Sequence, residues 1–263
     1  MVEFAELQNI QLFLLDMDGT FYLGDKLLPG AKDFIGWLNR HEKRFLFLTN
    51  NSSKHSKYYS EKLTRMGVPV SENEIFSSGK ATALYLKSQK PDAKVFVVGT
   101  TALQEELSSF DVHLVQENPD FVLLGFDTTL TYDNIWKLCD FVRVGFPYIA
   151  THPDINCPTE NGFMPDIGSM ISMVAASTGR QPDLIVGKPN RTIIDMLVKK
   201  TGISTYQMAM IGDRLYTDIA MGQAGLKTIL VLSGEAKLED LPGSRFKPDY
   251  IVNNLADLVS KLS

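Results

Sequence analysis

Asp16 and Asp18 stand two residues apart, preceded by the apolar run Leu12-Phe13-Leu14-Leu15 and followed at once by Gly19 and Thr20. Carboxylates this close repel unless a cation or a shared proton compensates, and a divalent metal is the economical compensation. A buried strand has no use for a carboxylate. Asp16 is therefore expected where the strand runs out, at the carboxyl end, where open α/β sheets bind ligands. Gly19 lets the backbone turn sharply and approach a bound group. The stretch also fits an ordinary Asp-Gly turn, so it decides nothing alone.

Three further polar clusters follow apolar strands: Thr49/Asn50/Asn51 after Arg44–Leu48, Lys188 after Asp183–Val186, and Asp213 with Asp218 after Met208–Ile211. Singly each has a plain structural explanation: a helix cap and turn, a solvated loop lysine, an Asx turn. Together they are complementary. Three or four carboxylates with oxygen donors suit Mg²⁺, which often binds beside a substrate phosphate, whereas zinc would call for His and Cys. A hydroxyl, an amide and a lysine are what a phosphate dianion needs for hydrogen bonds and charge neutralisation. Carboxyl ends of strands in one parallel sheet share an edge, so the four clusters are expected to converge.

The elements that must position these residues alternate between strand and helix. After the first strand, Phe21–Leu28 reads as a small hairpin flap around Gly24-Asp25, and Pro29-Gly30 opens a helix with apolar Ala31, Phe34, Ile35 and Leu38. The strand Arg44–Leu48, a helix from about His55 to Met66 and a short strand Glu74–Phe76 continue a β-α-β-α-β pattern. A second alternating unit follows: helix 80–89, strand Lys94–Val98, helix Thr101–Leu107, strand Asp120–Leu124, helix Tyr132–Val144 and strand Tyr148–Ala150. Thr151 to Asp166 reads as a long loop with three prolines, and loops of that length are usually functional. Helix 168–178 closes at Gly179. The first pattern then resumes with strands 183–186, 208–211, 227–232 and 250–252, helices 191–200 and 255 onward, and a helix running to Ala224-Gly225. The expected fold is α/β: a discontinuous core of parallel sheet at 1–77 and 182–263, with an α/β cap at 78–181 inserted into it.

The totals agree with an ordinary globular protein. The chain has 263 residues, 44% hydrophobic and 22% charged, with a net charge of -5 and no basic patch, so nucleic acid is not the expected partner. Apolar runs such as Phe121–Leu124 and Ile229–Leu232 have strand length and are too short to span a membrane. The acidic start, Met1-Val-Glu-Phe-Ala-Glu, lacks a secretory pattern, and Cys139 and Cys157 suggest neither a metal spacing nor a disulfide framework. A cytoplasmic protein is expected.

Asp16-Met-Asp-Gly-Thr20, Leu48-Thr49-Asn50-Asn51, Gly187-Lys188-Pro189 and Gly212-Asp213-Arg-Leu-Tyr-Thr-Asp218, in this order, resemble the four motifs of the haloacid dehalogenase (HAD) superfamily of aspartyl phosphatases. The large insertion between the second and third motifs is similar to the C2-type cap of its NagD-like branch. The run Thr178-Gly-Arg-Gln-Pro-Asp-Leu-Ile-Val-Gly-Lys-Pro189 is especially close to that branch. The resemblance implies a Rossmann-like core and a Mg²⁺-dependent phosphomonoesterase. By it, Asp16 is the nucleophile that forms an aspartyl-phosphate, and Asp18 is the acid and then the base. By the same resemblance Thr49 and Lys188 hold the transferring oxygens, assisted by the backbone or side chain of Asn50 and by Asn51. Asp16, Asp213 and the main-chain carbonyl of Asp18 bind Mg²⁺, and Asp218 orients a metal-bound water or Lys188.

In that branch the cap loops choose the leaving group. The matching region is Thr151–Ser169, where Phe163, Met164 and Asp166 are candidate substrate contacts; Phe163 and Met164 also fit packing between cap and core. Pyridoxal phosphatases of the branch resemble Asp154–Gly162 but carry histidine where this chain has Cys157, which weakens pyridoxal 5′-phosphate as substrate. His152 is expected to be a surface loop residue. The expected substrates are small phosphorylated metabolites: sugar phosphates, nucleoside monophosphates or phosphoglycolate. A phosphotransferase or mutase using the same aspartyl-phosphate is the alternative. A non-catalytic sensor would have lost Asp16 or Asp18, and dehalogenation needs neither the second aspartate nor the metal. Cap-to-cap dimers occur among similar proteins, so a homodimer through the cap is compatible with the resemblance.

Overall fold

The structure, a computed structural model, describes residues 4–159 and 162–262. In chain order its elements are β1 (Leu12–Leu15), β2 (Tyr22–Leu23), β3 (Lys26–Leu27), α1 (Ala31–Arg40), β4 (Arg44–Thr49), α2 (Ser56–Arg65), β5 (Ile75–Ser77) and α3 (Ser78–Gln89). Then come β6 (Lys94–Val98), α4 (Thr101–Ser109), β7 (His113–Leu114), β8 (Phe121–Leu124), α5 (Tyr132–Val144), β9 (Tyr148–Ala150), β10 (Asn156–Thr159) and β11 (Gly162–Pro165). The last are α6 (Ile167–Thr178), β12 (Leu184–Ile185), α7 (Arg191–Thr201), β13 (Met208–Gly212), β14 (Lys227–Val231), β15 (Tyr250–Val252) and α8 (Leu255–Leu262).

Two compact units result, one of residues 4–49, 60–76 and 197–262, the other of 50–59, 77–159 and 162–196. The first holds a six-stranded sheet in the order β15-β14-β13-β1-β4-β5. Its centre is β1, paired in parallel with β13 (Leu15 beside Ile211) and with β4 (Leu15 beside Phe47). All four β1 side chains are buried, as are those of β13, which explains why these strands read as continuous apolar runs rather than alternating ones. From β1 the chain winds outward through β4 to β5, and the later strands β13, β14 and β15 extend the other way. The boundary between β1 and β13 is thus the topological switch point, the place where such sheets open a crevice. The amphipathic α1 buries Phe34 and Trp37, and Phe13 of β1 meets both rings edge-on at 5.8 and 6.1 Å.

The second unit is built on a five-stranded sheet, β12-β9-β8-β6-β7, all of its pairs parallel. Helices α5 and α6 pack on it around Phe96, Val122, Leu138, Val142, Tyr148 and Ile171. Thr131 caps α5 by accepting from the Asn134 N–H, and Gly145 and Gly179 end α5 and α6 in the left-handed region.

Several expectations are corrected. The strand preceding Lys188 does not join the sheet of β1; β12 pairs with β9, Leu184 beside Ile149, at the edge of the second sheet. A short apolar run announces a strand and is silent about its neighbour. The expected loop from Thr151 to Asp166 contains the antiparallel hairpin β10–β11, with Cys157 opposite Met164; Glu160 and Asn161 of that loop lie outside the described residues. Strand β7 was not anticipated, and the expected helix to Ala224 is a 3-10 segment, Ile219–Ala224. The hairpin flap is present as β2–β3. Among the described residues no helix is long and apolar enough to cross a membrane, and Cys139 and Cys157 form no disulfide.

Candidate active site

The Asp16 N–H donates to the Ile211 carbonyl at 2.9 Å, so the ladder between β1 and β13 runs one residue past the strand and delivers a half-buried carboxylate to the sheet edge. The chain then turns: Phe21 N–H returns to the Met17 carbonyl and Gly19 N–H to Tyr22, with Gly19 at φ +85°. Asp18 stays exposed on this turn, while Thr20 is fully buried and donates its hydroxyl to Asp213 Oδ1 at 3.3 Å.

Asp213 follows β13 directly and is 2% exposed. Its second oxygen, Oδ2, accepts the Glu235 N–H at 2.7 Å, and its main-chain carbonyl accepts from Ala236 at 3.0 Å. Asp218 is completely buried and accepts the Arg214 N–H at 3.1 Å. Carboxylate oxygens of Asp16, Asp213 and Asp218 all lie within 4.8 Å of one another. Three carboxylates so close, two of them buried, favour a cation among them, and a purely oxygen donor set suits a hard divalent ion. Thr49 ends β4, next to β1 in the sheet and at the same edge.

The segment after β14 went unread in the sequence, although Ser233-Gly234-Glu235 repeats the pattern of polar residues after an apolar strand. Ser233 donates to the Gly19 carbonyl at 2.9 Å, and Glu235 holds Asp213 through its N–H while its carboxylate pairs with Arg214 Nε at 3.0 Å. These residues lock the turn after β1 to the aspartate after β13.

The other predicted site residues lie in the second unit. Lys188 is 2% exposed, and its main chain is gripped by the Asn50 amide. Asn51 spends its side-chain oxygen locally, on the N–H and hydroxyl of Ser53 at 2.9 and 2.7 Å. Phe163 and Met164 sit on β11, Phe163 being 72% exposed. Asp166 is buried, caps α6 by accepting from the Ile167 N–H at 2.6 Å, and meets His152 Nε2 at 3.0 Å. His152 is fully buried, with Nδ1 3.0 Å from the Thr151 hydroxyl. The expectation of a surface histidine fails because Asp166, fourteen positions away, supplies the partner that makes burial tolerable.

Residues 13–113 match the model of the haloacid dehalogenase-like hydrolases, and 185–258 that of the HAD-like hydrolases. The chain is 34% identical to the 5′-nucleotidase YutF of Bacillus subtilis over 94% of its own length and 96% of the relative's. The chain belongs to the haloacid dehalogenase-like hydrolase family. It is also 35% identical to the acid sugar phosphatase of Staphylococcus haemolyticus, over 97% of this chain and 98% of that one. Among solved structures, a 4-nitrophenylphosphatase from Thermotoga maritima is 47% identical with a TM-score of 0.95, covering 98% of this chain and 99% of its own. A protein described as a putative NagD is 46% identical with a TM-score of 0.91, covering 96% and 98%. The HAD fold and the NagD-like branch follow, and with them an enzyme that hydrolyses phosphoric monoesters.

Proposed function

We propose that the chain is a Mg²⁺-dependent phosphomonoesterase for small phosphorylated metabolites, working through an aspartyl-phosphate on Asp16. The observation that carries this reading is the convergence of Asp16, Asp213 and Asp218 at the switch point of the six-stranded sheet. Two of the three are buried and held by neighbours, whereas Asp16, half-buried, is the one a substrate can reach.

The steps then assign themselves to the chain's own groups. A carboxylate oxygen of Asp16 attacks phosphorus, and the bond to the leaving alkoxide breaks as the Asp18 carboxyl gives that oxygen its proton. Asp18, now a carboxylate, takes a proton from water; the water oxygen attacks phosphorus and the bond to Asp16 breaks, freeing phosphate. Exposure of Asp18 on the turn after β1 suits a group that meets both leaving group and water. Mg²⁺, held by Asp16, Asp213 and the Asp18 carbonyl with Asp218 as an orienting neighbour, would supply charge compensation for the phosphoryl oxygens. Thr49 and Lys188 keep the roles their motifs imply, a hydroxyl and an ammonium for the same oxygens.

A discontinuous core interrupted by an inserted cap is proposed, as 1–77 with 182–263 and 78–181, except that β12 pairs into the second sheet and goes with the cap. Phe163 and Met164 are the proposed contacts for the leaving group, and the exposure of Phe163 leaves it available for that task. The similarity to a 5′-nucleotidase and to an acid sugar phosphatase supports nucleoside monophosphates and sugar phosphates ahead of phosphoglycolate. A cytoplasmic location and a homodimer through the cap complete the reading.

The test is phosphate release from a panel of phosphomonoesters with Mg²⁺, 4-nitrophenyl phosphate first and Asp16→Asn alongside. Release by the wild type alone supports the reading. An acyl-phosphate on Asp16 without release contradicts hydrolysis and points to phosphoryl transfer to an acceptor hydroxyl.

A further inference from the structure

The Asn50 side chain is enclosed by one loop on each side. Its Oδ1 accepts the Lys188 N–H at 2.8 Å, and its Nδ2 donates to the Lys188 carbonyl and to Asp154 Oδ1, both at 3.1 Å. All three residues are buried: Asn50 5%, Asp154 8% and Lys188 2% exposed. The Lys188 N–H requires an acceptor, which fixes the amide's orientation.

A carboxamide has two N–H donors and no others. Here one is spent on Lys188 and the other on Asp154, and the carbonyl oxygen is itself taken up by the Lys188 N–H. The Asn50 side chain therefore has no donor left for a phosphoryl oxygen. What it does hold, through two opposed hydrogen bonds, is the peptide on either side of the Lys188 Cα.

The surroundings leave that grip no slack. A Cβ on Gly187 would stand 2.6 Å from Asn50 Oδ1, so only glycine lets the loop close on the amide. Gly187 N–H is tied to the Thr151 carbonyl at 2.7 Å, and the Asp154 carbonyl accepts from Gly168 at 2.8 Å. Asp154 thereby joins the amide to the first turn of α6, which follows the hairpin β10–β11, through a charge-assisted hydrogen bond in a buried setting. The Ser78 hydroxyl holds the Asn50 carbonyl from the other side.

We propose that Asn50, braced by Asp154, is a positioning residue: it sets the main chain of Lys188, and so the reach of its ammonium, and is not a phosphate ligand through its side chain. The inference rests on the reading of Lys188 as the lysine that binds the phosphoryl group.

The experiment is a double-mutant cycle in the full chain with Mg²⁺, using Asn50→Ala, Asn50→Asp, Lys188→Ala and each Asn50 variant combined with Lys188→Ala. Two quantities are read, kcat and KM for 4-nitrophenyl phosphate and the Kd for inorganic phosphate, which stays measurable where turnover is lost. Each Asn50 variant alone is expected to lower kcat roughly 10- to 100-fold, the scale of a misplaced group near the chemistry. In the Lys188→Ala background the same substitutions are expected to add less than about threefold, because the group they act through is gone. Asn50→Asp keeps the acceptor and the shape and removes both donors, so it serves if the alanine variant does not fold. Full multiplication of the two losses, or wild-type kcat in either folded Asn50 variant, would overturn the proposal. Wild-type kcat in Lys188→Ala alone would instead overturn the reading beneath it, and the single variant reports that separately.

Discussion

A Cβ on Gly234 would stand 1.9 Å from Asp213 Oδ2, and one on Gly19 would stand 2.4 Å from the same oxygen. Two strand-end turns therefore close on one carboxylate with room for backbone alone. The contact fixes the direction in which Asp213 faces Asp16 and Asp218, and it depends on two glycines far apart in the chain.

Gly234→Ala should displace Asp213 without removing the side chain of any proposed ligand. Roughly 10- to 100-fold more Mg²⁺ is expected for half-maximal activity, the usual effect of losing a residue that orients a ligand. Titration of activity with Mg²⁺ checks this. An unchanged midpoint would mean that Asp213 is not held for a metal.

Chelation should stop turnover and added Mg²⁺ should restore it. Asp213→Asn removes one of the three converging charges and should raise the Mg²⁺ requirement in the same direction. Activity indifferent to EDTA would remove the metal from the account.

His152 and Asp166 form a buried pair at the base of the hairpin that carries Phe163. His152→Ala leaves the pair without one member, at a cost of about 1–3 kcal/mol, and the melting temperature should fall by several degrees. A melting temperature equal to that of the wild type would show the pair to be dispensable for stability.

Phe163→Ala removes a ring that is 72% exposed, so stability should change by no more than about 0.5 kcal/mol. KM across the phosphomonoester panel should change unevenly, most for the bulkiest leaving groups. A uniform KM would take Phe163 out of substrate selection.

Much of the candidate site is legible in the chain because its carboxylates and hydroxyls follow buried parallel strands, where a polar residue is out of place. Asp16, Thr49 and Asp213 are found that way, and the sheet brings their strands side by side. What escapes is whatever depends on a distant partner. Leu184-Ile185 is recognisable as a strand, yet nothing in it names β9 as its neighbour. Pro158, Gly162 and Pro165 disguise β10–β11 as a loop, since a two-stranded ribbon needs no apolar alternation. The burial of His152 is decided by Asp166, and the tasks of Gly234 and Glu235 by Asp213. The positioning role proposed for the Asn50 amide depends on Asp154 and Lys188, 104 and 138 positions away in the chain.

The central claim is that Asp16 carries the phosphoryl group. The direct measurement is to quench the enzyme during turnover, reduce with borohydride, which converts an acyl-phosphate but not a free carboxylate, and map the modified peptide by mass spectrometry. Modification at Asp16, absent without substrate and absent in Asp16→Asn, with activity in that variant down by more than about a thousandfold, is the predicted result. Steady turnover with no modified residue, together with an active Asp16→Asn enzyme, would contradict it.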